Sequence, residues 1–183
     1  MELTAVSVKT KWAVDPAHSE LAFKVKHLMI TNVHGEFRKF AADVTSDGDD
    51  FTRSSVSVTI DAASVLTNDD KRDAHLKSAD FFDVEKYPEL KFKGTSFKKS
   101  ADGNYKLKGL LTIRDVSREV YFDVEFGGIQ KDPWGNEKAG FSLSGKINRK
   151  DFGLNWNAVL ESGGMLVGDE VKISAEVQFV KQG

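Results

Sequence analysis

Four histidines are the side chains best suited to chemistry at neutral pH, because an imidazole can bind a metal, move a proton or hold a polar group. They are spaced singly, without the HxH or HExxH patterns that bring two ligands to one zinc ion, at His18, His27, His34 and His75. His27 differs because it continues an alternating apolar series, Leu21, Phe23 and Val25. We expect structural roles for the histidines in general. His27 has the best claim to a function, because it is expected to face the interior, where an imidazole needs a hydrogen-bond partner or a bound polar group.

His18 and His75 are expected to form hydrogen bonds with groups close to them in the sequence. His18, followed by Ser19, is expected to satisfy backbone groups of a strand or turn. His75 is expected to form a local hydrogen bond with Asp73 on a short helix. An enzymatic alternative uses His27 as a base with Asp15 or another acid as its orienting partner. The apolar character of the predicted interior favours binding over catalysis.

Other catalytic and cofactor motifs are either absent or lack the residues that their chemistry requires. Gly140 to Lys146 has P-loop spacing, but Ile147 replaces the magnesium-binding Ser or Thr, and the run alternates like a strand. No GxSxG nucleophile elbow is present, and the acidic turn from Asp47 to Asp50 lacks calcium-loop spacing. The absence of cysteine removes thiol nucleophiles, iron–sulfur clusters and Cys-based zinc sites. We expect neither a metal nor a redox cofactor.

Arg149 and Lys150 open a connection of 22 residues from Asn148 to Asp169. The favoured interpretation makes both surface charges, while the alternative places Arg149 at the mouth of a cavity, where it holds a diphosphate or carbonyl head group. Arg114 is a weaker candidate for the same task. The connection itself is long and apolar, so we expect it to fold over an opening.

Alternation with a period of two organises the elements that would position these residues. Trp12 to Met29 predicts one long strand that bends at Asp15-Pro16 and pairs with more than one neighbour. Val33 to Val44 predicts a second strand, in which a parity slip indicates a β-bulge near Arg38-Lys39.

The period is lost between Asp61 and Pro88. There we predict a short helix that is capped by Thr67 or Asn68 and ends near Lys77, followed by one more turn at Ala79 to Asp83. This insert is expected to cover one end of the sheet.

Six further strands are marked by their apolar positions: Val56, Val58 and Ile60; Leu90 and Phe92; Tyr105 to Ile113; Val120 to Phe126; Phe141 to Ile147; and Val171 to Phe179. Eight strands with one apolar face each would expose that face and two edges if flat, so we predict an all-β, eight-stranded antiparallel barrel, with the helical insert between strands 3 and 4. Gly109 and Gly145 point inward, where they either relieve tight coiling or leave room.

Composition limits the partners. A net charge of −2 gives no large basic field for nucleic acid or for an anionic membrane, and no segment has the roughly 18 apolar residues that span a bilayer. We expect a single domain over residues 1–183, with 1–10 as a flexible extension, and leave a homodimer open. No signal peptide is visible, so we expect a cytoplasmic protein, or a periplasmic one if a leader has been removed.

Motifs along nearly the whole chain resemble the YceI-like family. They include Trp12-x-Val14-Asp15-Pro16-x-His18-Ser19, Phe23-x-Val25-x-His27, Gly35-x-Phe37, Asp80-Phe81-Phe82-Asp83, Arg149-x-Asp151-Phe152-Gly153 and Val167-Gly168-Asp169-x-Val171. The resemblance implies a lipocalin-like barrel that binds a long-tailed amphiphile, typically an isoprenoid such as an isoprenyl pyrophosphate or a quinone.

We therefore predict a non-enzymatic protein that carries or stores an isoprenoid lipid. The predicted ligand contacts are Phe23, Val25, His27, Phe37, Phe92, Leu107, Leu111, Phe122, Phe141, Leu143, Arg149, Phe152, Trp156 and Ile173. Two alternatives stay open: an enzyme acting on such a lipid through His27, and a stress-related interaction module whose barrel is filled.

Overall fold

A computed structural model describes residues 9–183, of which most lie in strands. The strands are β1 (Lys9–Val14), β2 (Glu20–His27), β3 (Thr31–Phe37), β4 (Phe40–Asp47), β5 (Asp50–Asp61), β6 (Val65–Leu66), β7 (Glu89–Lys99), β8 (Tyr105–Ile113), β9 (Val116–Lys131), β10 (Glu137–Asn148) and β11 (Val167–Gln182). The helix α1 spans Asp70–Lys77, and three 3₁₀ turns lie at Pro16–His18, Ala62–Ser64 and Arg149–Phe152. Residues 1–8 of the predicted extension lie outside the described range, but Lys9 and Thr10 belong to β1.

The sheet closes because β1 pairs with both β4 and β11. Between those two strands the order runs through β5, β7, β8, β9 and β10, with every neighbouring pair antiparallel. The eight-stranded antiparallel barrel predicted from the alternation is confirmed. Closure removes the free edges that a flat sheet would expose.

The first predicted strand is confirmed as a bent element, with β1 and β2 as its two halves. Both halves pair with β11, while β1 also pairs with β4 and β2 with β3. The bend is a 3₁₀ turn capped by Asp15, which accepts hydrogen bonds from Ala17 N at 3.1 Å, His18 Nδ1 at 2.9 Å and Lys138 Nζ at 2.9 Å. The hydrogen bond from Lys138, followed by that from His18, lowers the pKa of Asp15. His18 thus contacts a carboxylate, and the prediction that it satisfies turn backbone is wrong.

The predicted bulge near Arg38-Lys39 is instead a break between β3 and β4. Phe37 and Phe40 are three residues apart and both pack against the core, which a continuous strand with a period of two does not allow. Ser64 holds the break, since its carbonyl accepts from Arg38 N at 3.1 Å and its hydroxyl accepts from Lys39 N at 3.1 Å. On either side of the break the strands have different partners: β3 pairs with β6, and β4 pairs with β5.

The helical insert has the predicted end at Lys77 but a different cap. Asp69 is the N-cap and accepts from Arg72 N at 3.0 Å. Thr67, a predicted cap, is buried and held by Asp73, which accepts from its backbone N at 2.8 Å. The insert covers one end of the barrel, as expected.

The opposite end is closed by an aromatic plug. Trp12 is almost fully buried and donates from Nε1 to Ser46 Oγ at 2.9 Å, which satisfies the indole in an otherwise apolar cluster. Ring centroids within the plug lie 4.8 to 6.5 Å apart, and its members are Trp12, Phe51, Phe97, Tyr105, Phe126, Phe141 and Phe179.

Candidate functional site

A cavity of about 600 Å³ occupies the barrel interior above the aromatic plug. Its walls are almost entirely aliphatic and aromatic, and it reaches the surface beside the exposed Lys26 and Lys71. We call this open end the mouth; the β2–β3 turn, the insert and the β10–β11 loop surround it. The filled-barrel alternative is therefore wrong, because the interior holds a space of the size typical of small-ligand sites.

Thirteen of the fourteen predicted contact residues line this cavity: Phe23, Val25, His27, Phe37, Phe92, Leu107, Leu111, Phe122, Phe141, Leu143, Arg149, Trp156 and Ile173. Phe152 does not. It is 2% exposed and lies beside a separate depression on the outer wall, with Arg118 and Asp151. The alternation that predicts inward residues ends where β10 passes into a 3₁₀ turn, so it carries no information at Phe152.

Several lining residues were missed. Phe179 shares the parity of Ile173 in β11, so the period alone could have identified it. Phe81, Phe82 and Leu76 line the cavity from the insert, where no period of two applies. Their contribution depends on how the insert folds back over the barrel.

The inward glycines make room for the protein's own rings. A Cβ at Gly109 would lie 2.5 Å from the Phe92 ring, and one at Gly145 would lie 2.7 Å from the Phe122 ring. A Cβ at Gly35 would overlap the ring of Phe23. Each phenylalanine ring therefore occupies the space that a side chain at the glycine would need.

The charged lining residues are gathered at the mouth. They are Lys26, Asp69, Lys71, Arg72 and Arg149, with His27 and His75 beside them. Arg72 is partly committed, because its Nη2 donates to Thr67 O at 2.7 Å and its Nε to Thr67 Oγ1 at 2.8 Å. His27 is half-buried, and no side chain in the described part of the sequence forms a hydrogen bond with its ring. The mouth thus has more basic than acidic side chains.

His75 connects the helix α1 to the β10–β11 loop. Its Nε2 lies 2.8 Å from Asp80 Oδ2, so the predicted partner Asp73 is wrong; that carboxylate is occupied by Thr67. The imidazole meets the Trp156 ring edge-on with centroids 4.5 Å apart. This contact joins α1 to the β10–β11 loop.

The β10–β11 loop folds over the opening, as expected. Leu154, Trp156 and Leu166 from this loop line the cavity. Val159, also in this loop, is exposed. Because β11 begins at Val167, the loop is a few residues shorter than the predicted connection.

Arg149 lies at the mouth but is not free to act there. Its side chain is 3% exposed, so the interpretation as a surface charge is wrong. Nη1 donates to Leu154 O at 2.6 Å and Trp156 O at 2.8 Å, and Nε donates to Gly168 O at 2.8 Å. Burial lowers the pKa of Arg149, while Asp169 opposes that change. The guanidinium therefore holds the loop closed through backbone carbonyls.

Arg114 is not among the residues lining the cavity. It lies in the β8–β9 turn with φ of 57°, its Nη1 approaches Phe81 O at 3.4 Å, and its buried Nε has no partner among residues 9–183. The enzymatic pairing of His27 with Asp15 also fails. His27 pairs with Val167, and Asp15 N donates to Gln178 O. The two side chains therefore lie beside parts of β11 that are roughly 36 Å apart along an extended strand.

Within residues 9–183, no three His, Asp or Glu side chains converge as metal ligands. Over the same range, no helix has the length and hydropathy to cross a bilayer.

Comparison with known proteins agrees with this architecture. A family model described as YceI-like domain matches residues 12–179. A UPF0312 protein of Staphylococcus aureus is 39% identical over 171 residues, which cover 93% of this chain and 97% of that protein.

Solved structures give the same result. Burkholderia cenocepacia BcnA superposes with a TM-score of 0.77 at 25% identity, covering 90% of this chain and 98% of its own. The Campylobacter jejuni YceI protein has a TM-score of 0.72 at 34% identity, with both chains fully covered. A Saccharophagus degradans domain described as polyisoprenoid binding shares the fold, with a TM-score of 0.69 at 13% identity over 93% of this chain and 98% of its own. This chain belongs to the YceI-like family.

Proposed function

We propose that this protein binds a long-chain amphiphile, most simply an isoprenoid lipid, and carries or stores it without chemical change. The observation that carries the proposal is the hollow, largely apolar barrel, which is closed at one end by aromatic rings and has its charged lining residues at the other. Burial of an apolar chain there removes it from water, which is favourable by ~25 cal/mol per Å². The polyisoprenoid-binding description of the Saccharophagus degradans domain supports the same ligand class.

The mouth favours a head group with negative charge. Lys26, Lys71 and Arg72 lie there, and Asp69 is the one carboxylate that lines the cavity in the described range 9–183. A diphosphate accepts charge-assisted hydrogen bonds from such groups, whereas a quinone offers only neutral carbonyls. We therefore place polyprenyl diphosphates before quinones as candidate ligands.

The first expected result concerns the bound ligand itself. Mass spectrometry of an organic extract of the purified protein should find an amphiphile in stoichiometric amount, with several isoprene units or a comparable acyl chain. Delipidated protein that takes up neither prenyl diphosphates nor quinones would contradict the proposal.

The second expected result concerns His27. Its ring lines the mouth, so His27→Ala should weaken binding of a prenyl diphosphate by about 1–3 kcal/mol, as expected for a lost hydrogen bond to a charged group. His34→Ala is the matched control, because His34 is exposed and absent from the cavity lining. Isothermal titration of both variants measures the difference.

The same pair of variants separates binding from catalysis. Turnover of a prenyl ester or diphosphate that His27→Ala abolishes and His34→Ala preserves would establish the enzymatic alternative. Equal affinities of the two variants would remove His27 from the head-group site.

A further inference from the structure

The β2–β3 turn presents three large apolar side chains to solvent. Leu28, Met29 and Ile30 are 39%, 55% and 74% exposed. Leu28 and Met29 also adopt positive φ angles of 54° and 62°, a conformation that favours Asn and Gly and that costs conformational energy in other residues. Neither exposure nor backbone preference accounts for these residue types.

The apolar surface continues onto the neighbouring loop. Leu28 N donates to Leu166 O at 2.9 Å, and Met29 Cγ lies 3.9 Å from a Cβ built at Gly164. Val159 and Met165 pair with each other in this loop, and both are exposed. We call Leu28, Met29, Ile30, Val159 and Met165 the apolar tip. It borders the mouth, because His27 and Leu166, which flank it in the chain, line the cavity.

A row of basic side chains crosses the outer wall next to the tip. Lys146 is opposite Lys172, Lys172 is opposite Lys24, and Lys24 is opposite His34. We call the three lysines, Lys24, Lys146 and Lys172, the basic ladder. Like charges at directly opposed positions repel. None of the three lysines forms an ion pair within residues 9–183.

The acidic groups near this wall do not neutralise the ladder. Asp169 is engaged with Lys150 at 3.4 Å, and Glu170 is opposite Asn148, one step nearer the mouth. Glu36, which is diagonal to Lys24, is paired with Arg38 at 3.3 Å. On a chain whose net charge is −2, the ladder is therefore a local row of lysines without ion-pair partners in residues 9–183.

We propose that the apolar tip and the basic ladder dock the protein on a lipid bilayer with anionic head groups, so that the mouth faces the membrane. Apolar side chains enter the boundary between head groups and acyl chains, while lysines remain at the level of the phosphates. A ligand tail can then pass between bilayer and cavity with little exposure to water. This inference rests on the proposed function for its purpose, but docking itself does not require a ligand.

A second copy of the chain fits this surface less well. A symmetric dimer through the apolar tip would bring two basic ladders towards each other without acidic partners. An anionic bilayer complements both features at once. The bilayer is therefore the occupant that the charge distribution favours.

The decisive experiment is co-sedimentation with vesicles of phosphatidylglycerol and phosphatidylcholine in equal parts. Replacing Leu28→Asn, Met29→Gly and Ile30→Thr removes the exposed side chains and installs residues that accept positive φ, so folding should be preserved. Binding should fall about tenfold or more. Trp134→Ser is the matched control, since Trp134 is 83% exposed in the β9–β10 turn at the plugged end; its binding should equal wild type.

Charge is tested separately. Lys24→Gln with Lys172→Gln should weaken vesicle binding by about fivefold per lysine, and added salt should have the same effect. Lys99→Gln with Lys131→Gln, at the plugged end, should leave binding unchanged. Wild-type protein that fails to sediment with the anionic vesicles, or sediments equally with pure phosphatidylcholine, would overturn the proposal.

Loading of a fluorescent prenyl diphosphate distinguishes this inference from the proposed function. The tip variant should load normally from detergent micelles but slowly from vesicles. If the wild-type protein does not load from micelles, the proposed lipid-binding function is contradicted. Membrane docking is then judged by the sedimentation result alone. A wild-type dimer that the tip substitutions convert to monomers would assign the tip to self-association and overturn membrane docking.

Discussion

Leu143→Trp is expected to abolish uptake of a prenyl or acyl probe while the unfolding midpoint of the ligand-free protein stays close to that of wild type. Leu143 lies mid-strand in β10, between Val124 and Ala175 on the neighbouring strands, and its side chain lines the cavity. In a close-packed core the added volume would cost about 1–3 kcal/mol. Here the indole enters open space, so it takes the place of the ligand tail.

The control for this variant is Ser144→Trp. Ser144 is the next residue and is exposed on the outer wall, so the same side chain is added without entering the barrel. Probe fluorescence titration and chemical denaturation should show binding lost only in Leu143→Trp. Strong destabilisation of Leu143→Trp would mean that the cavity does not accept added volume, and the lipid-carrier proposal would lose its physical basis.

The second large effect is expected at Arg149. Arg149→Met keeps much of the length and apolar stem of the side chain but leaves the carbonyls of Leu154, Trp156 and Gly168 without their donor. Buried polar groups that lose a partner cost about 1–3 kcal/mol each, partly relieved where water enters. We expect a loss of about 2–4 kcal/mol in the free energy of unfolding.

The loss should be concentrated in the β10–β11 loop. Hydrogen exchange should accelerate across residues 153–166, and the ligand should dissociate faster because the loop no longer covers the mouth. Lys150→Met is the control, since the Lys150 side chain is half exposed and, within residues 9–183, its one ion pair is with Asp169. Arg149→Lys should recover little, because an ammonium cannot reproduce the fork that serves several carbonyls. Unchanged exchange in Arg149→Met would show that the loop is held by other contacts.

The two expectations come from opposite kinds of burial. Leu143 borders empty volume, so a larger side chain is accommodated and a ligand is displaced. Arg149 is surrounded by acceptors, so a side chain without donors is not accommodated. The cavity wall therefore accepts a larger side chain, whereas the β10–β11 loop does not accept the loss of its hydrogen-bond donor.

The amino-acid sequence by itself determined the strands and which residues face inward. Alternation with a period of two is a local property of the chain, so Phe23, Val25 and Leu143 could be assigned to the barrel interior without knowledge of their neighbours. Eight apolar faces without cover then require closure. These steps depend only on the alternation of side chains along each strand, which can be read directly from the sequence.

Only the tertiary structure decided the hydrogen-bond partners and the arrangement of the two ends. Arg149 acts on Gly168, which lies across the loop, and His75 contacts Trp156 from a different segment. Such contacts depend on how the insert and the loop fold back over the barrel, and no local period encodes that path. The hollow interior was likewise undecided, because its volume depends on rings such as Phe92 lying against a glycine of the neighbouring strand.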